Sequence, residues 1–205
     1  MKKSRIVSQF KQARSINTKE KIIDAATRYF CENGFYTASI RKLAQAANIS
    51  IGSFYFYFKD KDELFLEVMR MQNDRFISGA TEAFHMTEIY HEDKKKWLRA
   101  FFVNLLNAHE NLGKMRNELK ALYYENPRIA CLKDEQEQAA RKLISDLCNK
   151  LFKDDLKVNN PEIAILILSD LTDAALDRIT YGDNSVNKEE ILDECIEAMY
   201  KYLFL

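Results

Sequence analysis

Apolar positions recur every three or four residues along most of the chain, and no alternating pattern of useful length interrupts them, so the sequence predicts helices throughout. Ile22, Ile23, Ala26, Tyr29 and Phe30 form the first stripe, with Thr18 as its expected N-cap and Gly34 as its stop. Ile40, Leu43, Ala44 and Ala47 form a second, capped by Ser39. The chain must then turn sharply at Ala47-Asn48-Ile49, where Asn readily takes the left-handed conformation, and Ser50 caps a third helix from Ile51 to Phe58. Asp60-Lys61-Asp62-Glu63 fits a capping box ahead of the stripe Leu64, Val68 and Met71. That predicts a fourth helix from Lys61 to about Ser78, ended by Gly79.

Two short helices joined by a tight turn form a helix-turn-helix, here Ser39 to Phe58. The second helix holds five consecutive aromatics, which cannot all face one core at 100° per residue. Phe54 and Phe58, at i and i+4, form the inward face; Phe56 centres the outward one, with Gly52 and Ser53 beside it and Tyr55 and Tyr57 on its flanks. Small residues, a hydroxyl and a flat ring suit base edges in a major groove, and flanking phenols suit phosphates. Ile51 lies between core and groove. Lys61, at a helix N-terminus, is a further candidate phosphate anchor.

Beyond residues 80–92, which give no clear pattern, Lys94 begins a helix apolar nearly all round, the kind that sits inside a domain. Further helices are expected over Lys114–Glu125, from about Lys133 to Phe152 after a break at Asn126-Pro127, from Glu162 to about Tyr181 with Pro161 at its first position, and from Lys188 to Leu203. The last two read as a helical hairpin. Large soft side chains gather at the centre of this region: Trp97, Phe101, Phe102, Leu105, His109, Met115, Leu119 and Tyr123, on two helices expected to lie side by side. Such stripes are usually core.

The 205 residues suffice for one large or two small domains, and five Gly and two Pro agree with an all-α chain. The net charge of zero hides an asymmetry. Residues 1–80 hold 14 Lys and Arg against 8 Asp and Glu, a surplus of 6; residues 81–205 hold 17 against 23, a deficit of 6. A basic end is the electrostatic footprint of a nucleic-acid partner. Residues 1–17, with five basic residues and no acidic one, read either as a mobile arm near DNA or as a solvated tail. The longest near-continuous apolar run, Ile163 to Leu168, falls far short of the ~20 residues of a membrane span, and no signal peptide precedes it, so a soluble cytoplasmic protein is expected. Cys31, Cys131, Cys148 and Cys195 have no metal-like spacing and read as buried reduced thiols.

The run GFYTASIRKLAQAANISIGSFYFYFKDKDEL, from Gly34 to Leu64, resembles the DNA-binding domain of the TetR family of bacterial repressors. It departs from the family pattern at three places: Asn48 stands for a usual glycine, Ala38 for a common Thr, and Ile51 for a frequent polar or Lys residue. The resemblance implies an all-α chain: an N-terminal three-helix DNA-binding domain with its connecting helix (residues 18–78, after an arm over 1–17) and a larger C-terminal ligand-binding and dimerisation domain (79–205). It implies operator DNA as a partner, with Ser39, Arg41, Ile51, Gly52, Ser53, Tyr55, Phe56, Tyr57 and Lys61 at the interface. It also implies a homodimer through residues 162–203, paired as a four-helix bundle, and a pocket for a small apolar or amphipathic effector. Trp97, Phe101, Phe102, Asn104, Leu105, His109, Met115, Leu119 and Tyr123 are its candidate lining, with His109, Asn104 and Tyr123 as polar handles.

Enzymatic chemistry has no signature here. His85, His91 and His109 sit in no metal or nucleophile motif, and no HExxH, GxSxG or P-loop occurs, so neither cofactor nor metal is expected. Asp170, Asp173 and Asp177 share a helical face that reads as solvated rather than as a cation site. The leading expectation is a ligand-responsive repressor. A DNA-organising protein without an effector, and a helical enzyme or carrier, are the alternatives.

Overall fold

The computed structural model describes residues 2–86, 93–182 and 185–205. Among these it contains nine helices and no strand: α1 (Lys2–Asn33), α2 (Ile40–Ala46), α3 (Ile51–Tyr57), α4 (Lys61–Met86), α5 (Lys94–Glu110), α6 (Gly113–Glu125), α7 (Pro127–Phe152), α8 (Pro161–Tyr181) and α9 (Lys188–Phe204). They fall into two compact units. The first comprises residues 1–73 and 112–129, the second 74–111 and 130–205.

In the first unit α1 packs against α2 and α6, and α2 against α3. Phe30, Phe54, Phe58, Phe65, Leu43 and Leu64 are among its fully buried side chains. Phe65 receives Phe30 and Phe35 edge-on, at centroid distances of 5.2 and 4.9 Å. Such pairs add about 0.5–1.5 kcal/mol each beyond the burial of their area.

The second unit has one continuous core, in which Trp97, Leu98 and Phe102 of α5 meet Cys148 and Phe152 of α7 and the inner faces of α8 and α9. Phe152 meets Trp97 and Phe204 edge-on, at 5.0 and 5.4 Å. An ionic ladder runs along the outside of α5 and α9: Lys95 pairs with Glu197 at 2.6 Å, and Arg99 with Glu189 at 2.9 Å and with Asp193. These pairs are exposed, so they set register more than stability.

Several element boundaries differ from the sequence expectation. Thr18 lies inside α1 rather than capping it, because no Gly or Pro interrupts the chain before Gly34. Likewise α4 continues through Gly79 to Met86; a lone interior Gly costs about 1 kcal/mol, too little by itself to stop a helix. α7 begins at Pro127, not Lys133: Pro is favourable in a first turn, and the Asn126 side chain accepts the amide of Arg128 at 3.0 Å. α6, expected beside α5 in a C-terminal domain, belongs with α1 in the first unit.

Among the cysteines, Cys148 and Cys195 are buried, as expected, and burial pushes their thiols up to about 12 and about 11. Cys131 is instead exposed and Cys31 half-buried. The Cys131 thiol, on the outer face of α7, donates to Glu135 at 3.4 Å, which holds it protonated. No helix among the described residues is long and apolar enough to cross a membrane.

Candidate nucleic-acid interface

Local chemistry builds the α2–turn–α3 segment. Ser39 holds the extended backbone of an N-cap (φ −126°, ψ 156°), and its hydroxyl accepts the Lys42 amide at 3.3 Å. At the turn Asn48 takes φ +54°, the left-handed conformation that its side chain tolerates best after glycine. The amides of Asn48 and Ile49 then bond back to the carbonyls of Gln45 and Ala44, each at 3.0 Å. Ser50 caps α3 by accepting the Ser53 amide at 3.0 Å, and the two hydroxyls lie 2.9 Å apart. Each cap contributes about 1 kcal/mol.

The rotation of α3 follows from its inner face. Phe54 and Phe58 are buried, with ring centroids 5.8 Å apart, and this turns Phe56 outward at 77% exposure. Ile51, Gly52 and Tyr55 are also exposed, while Ser53 and Tyr57 are half-buried at the flank. Ser39 and Arg41 are exposed on α2. An open depression beside α3 is lined by Ser50, Gly52, Ser53, Phe56, Tyr57 and Thr18 of α1. Thr18, expected from sequence to cap α1, stands in this concavity because α1 runs on past it.

α4 starts as its capping box requires at one bond and not at the other. Asp60 accepts the Glu63 amide at 2.7 Å, but Glu63 reaches one residue further back and accepts the Lys59 amide at 2.6 Å. Lys61 also differs from expectation. Instead of a free ammonium at the helix start, its Nζ donates to the carbonyls of Phe35 (3.0 Å) and Ala38 (3.2 Å) and lies 3.9 Å over the Phe35 ring. Burial lowers its pKa, against the opposing effects of Asp62 and Glu118. Two of its three N–H groups are used inside the protein, which fits a tie between the α1–α2 turn and α4.

The expected effector-site residues divide between the two units. Trp97, Phe102 and His109 are buried in the second, Phe101 stacks on Trp97 at 5.5 Å, Leu105 is half-buried and Asn104 is exposed. Met115 is buried on α6 in the first unit, with Leu119 and Tyr123 half-buried there. His109 has both ring nitrogens engaged: Nε2 lies 3.0 Å from Asp177 and Nδ1 3.3 Å from the Thr180 hydroxyl. Asp177, read from sequence as part of a solvated acidic face, therefore orients a buried imidazole.

Capped α2, a left-handed turn, and an α3 that buries two aromatics while exposing the opposite face define a helix-turn-helix DNA-binding protein. Residues 22–68 match the family described as "Bacterial regulatory proteins, tetR family". The HTH-type transcriptional regulator YhgD of Bacillus subtilis is 25% identical over 161 residues, 75% of this chain and 80% of that protein. The HTH-type transcriptional repressor AcnR of Corynebacterium efficiens is 33% identical over 67 residues, 33% of this chain and 36% of its own. A solved structure from Mesorhizobium loti, described as a TetR-family transcriptional regulator, superposes with a TM-score of 0.72 at 22% identity, covering 94% of this chain and 99% of that one. A transcriptional regulator from Saccharomonospora viridis, solved in complex with choline, superposes with a TM-score of 0.75 at 14% identity, over 92% and 98%. Residues 22–68 therefore form a DNA-binding domain of the TetR family, and the chain as a whole has the fold of the solved regulators it superposes on.

Proposed function

We propose that this regulator is a homodimeric repressor that reads a two-fold operator and is released by a small, largely apolar effector. The observation that carries the reading is the outward face of α8. Ile163, Leu166, Ile167 and Leu171 are exposed there on a helix whose other face is core, and Ala198 and Tyr202 are exposed on α9. Apolar stripes of this kind on adjacent helices suit pairing with a second copy as a four-helix bundle within residues 162–203. A dimer presents two helix-turn-helix motifs to half-sites about 34 Å apart or a multiple of it.

On each half-site, Ser39, Arg41, Ile51, Gly52, Ser53, Tyr55, Phe56 and Tyr57 make the contacts, and Lys61 holds the motif. The effector lies among Trp97, Phe101, Phe102, Asn104, Leu105 and His109 of the second unit. Choline in the Saccharomonospora viridis regulator supports a small ligand for a chain of this fold, and the name of the Corynebacterium efficiens relative supports repression. Ligand and operator oppose each other by linkage: a coupling of ~3 kcal/mol weakens DNA binding about 150-fold, and the operator weakens the ligand equally. The domain division we propose is a reading domain that begins with α1 and includes α6, and an effector and pairing domain formed by α5 and the helices from α7 onward.

The test starts with a footprint. One short palindrome supports the regulator; sequence-blind coverage supports a DNA-organising protein instead. A thermal-shift screen of apolar and aromatic compounds follows, with operator titration for each hit. Hits that stabilise the protein without weakening operator binding would refute release by an effector.

A further inference from the structure

The α1–α2 turn, which leads into the helix-turn-helix, is held by residues more than eighty positions away. Gly34 ends α1 at φ +86°, and the amides of Phe35 and Tyr36 then both point at one carboxylate oxygen, Oε2 of Glu118 on α6; the Tyr36 amide lies 3.2 Å from it. The same carboxylate fills the space where a Cβ on residue 34 would stand. About two turns further along α6, Glu125 accepts the Tyr36 hydroxyl at 2.6 Å. That bond, with burial and the charges of Glu125 and Glu118, pushes the phenol up to about 12.

The other end of the motif is held from the same segment. Asn126 donates to Asp62 at 2.8 Å, and Arg128 lies 3.9 Å from Asp60, both at the start of α4. Lys61 joins the two ends by donating to the carbonyls of Phe35 and Ala38. All these residues belong to the first compact unit, and α6 packs along α1 within it. Gly113 opens α6 at φ +49°, with its missing Cβ against the Cys31 carbonyl, so α6 approaches the end of α1 as closely as backbone allows.

We propose that Glu118 is a positioning residue for DNA recognition: its carboxylate gathers the Phe35 and Tyr36 amides and so fixes where Ser39, α2 and α3 stand. The inference rests on the reading of α2 and α3 as the DNA-contacting helices. It adds that the reading surface is set from α6, by a residue that itself touches no DNA. Two charge-assisted bonds to one oxygen are stronger than neutral ones and specify direction, which a purely apolar contact between α1 and α6 does not. Loss of the clamp therefore lowers sequence discrimination before it lowers phosphate binding, because base contacts need the tighter geometry.

The experiment uses the full-length chain and a duplex that the wild-type protein selects from a random-sequence pool. Amide hydrogen exchange at Phe35 and Tyr36 is measured in parallel with affinity for that duplex and for a scrambled one. Glu118→Ala is expected to unprotect both amides and to weaken the selected duplex about 10-fold more than the scrambled one. Glu118→Gln keeps an oxygen that can accept both amides, so it is expected to restore protection and most of the discrimination. Where the alanine variant does not fold, Glu118→Asp asks the same question with a carboxylate one methylene too short. Unprotected amides with undiminished discrimination would overturn the inference, as would amides that stay protected without the carboxylate. A wild-type chain that selects no sequence would overturn the DNA reading itself, and that result appears before any variant is made.

Discussion

Placing a charge on the outward face of α8 separates dimer formation from folding. Ile167 is 50% exposed, whereas Ile165, two residues away, is 6% exposed and part of the core. Burying a whole isoleucine is worth roughly 2 kcal/mol, so hiding the exposed half of Ile167 against a second copy contributes about 1 kcal/mol per copy. Ile167→Glu removes that gain twice and adds a carboxylate on each side of a two-fold interface, at several kcal/mol per unpaired charge. Even a combined loss of ~5 kcal/mol raises the dimer dissociation constant by more than 10³-fold. In the isolated chain the same change falls at a half-exposed site and costs about 0.5 kcal/mol or less. The expected outcome is a folded monomer. Light scattering would give the chain mass of 24.0 kDa in place of twice that value, with an unchanged helical circular dichroism spectrum. Ile165→Glu is the control, expected to unfold the second unit by burying an unpaired charge. An Ile167→Glu protein that stays dimeric at micromolar concentration would refute the assignment of this face, and a monomeric wild type would refute the dimer altogether.

Three further outcomes are expected. Arg41→Ala should cost ~1–3 kcal/mol of operator affinity and relax specificity at one base step if the guanidinium reads a base, whereas Tyr55→Phe and Tyr57→Phe should weaken all sequences alike; wild-type affinity in all three would remove α2 and α3 from recognition. Gly34→Ala should destabilise the first unit by about 2–4 kcal/mol in chemical denaturation, since it combines a left-handed alanine with displacement of the Glu118 carboxylate, and a loss under ~0.5 kcal/mol would contradict the turn geometry. Tyr36 should ionise near its raised value of about 12 in a phenolate absorbance titration, and Tyr36→Phe should abolish that late step. Because the folded pKa lies above the unfolded value near ~10, this stabilisation is complete below that pH and is lost as the pH rises from there through 12; a phenol titrating normally would disprove the Glu125 bond.

The helix-turn-helix was legible because its determinants lie within twenty residues of one another. Caps at Ser39 and Ser50, a left-handed Asn48, and the pair Phe54 and Phe58 are decided by hydrogen bonds and contacts at short separation, which periodicity and residue type encode directly. Helix ends were less legible, since they depend on a balance between weak local stops and the packing on either side. Gly79 did not end α4, while Gly34, forced to a positive φ against a carboxylate, did end α1. Lys61 was placed at the right helix end, but its direction depended on two carbonyls 23 and 26 residues earlier.

Periodicity says which face of a helix is buried and is silent on what buries it. The stripe of Met115, Leu119, Leu122 and Tyr123 predicted an apolar face on α6, and Met115 and Leu122 are indeed buried. The expectation from sequence sets that face beside α5, the helix just before it in the chain. The structure packs α6 along α1 instead, and the deciding contacts are polar and glycine-mediated: Glu118 on the Phe35 and Tyr36 amides, Glu125 on the Tyr36 hydroxyl, and Gly113 against the Cys31 carbonyl. Glutamates on a helix read in sequence as its solvated face, and a glycine after Asn111-Leu112 reads as a turn. Their second role exists only where a distant turn offers two unsatisfied amides and a carbonyl end without side chains. The residues that orient a recognition surface can therefore be those that a reading by hydrophobic pattern assigns to solvent.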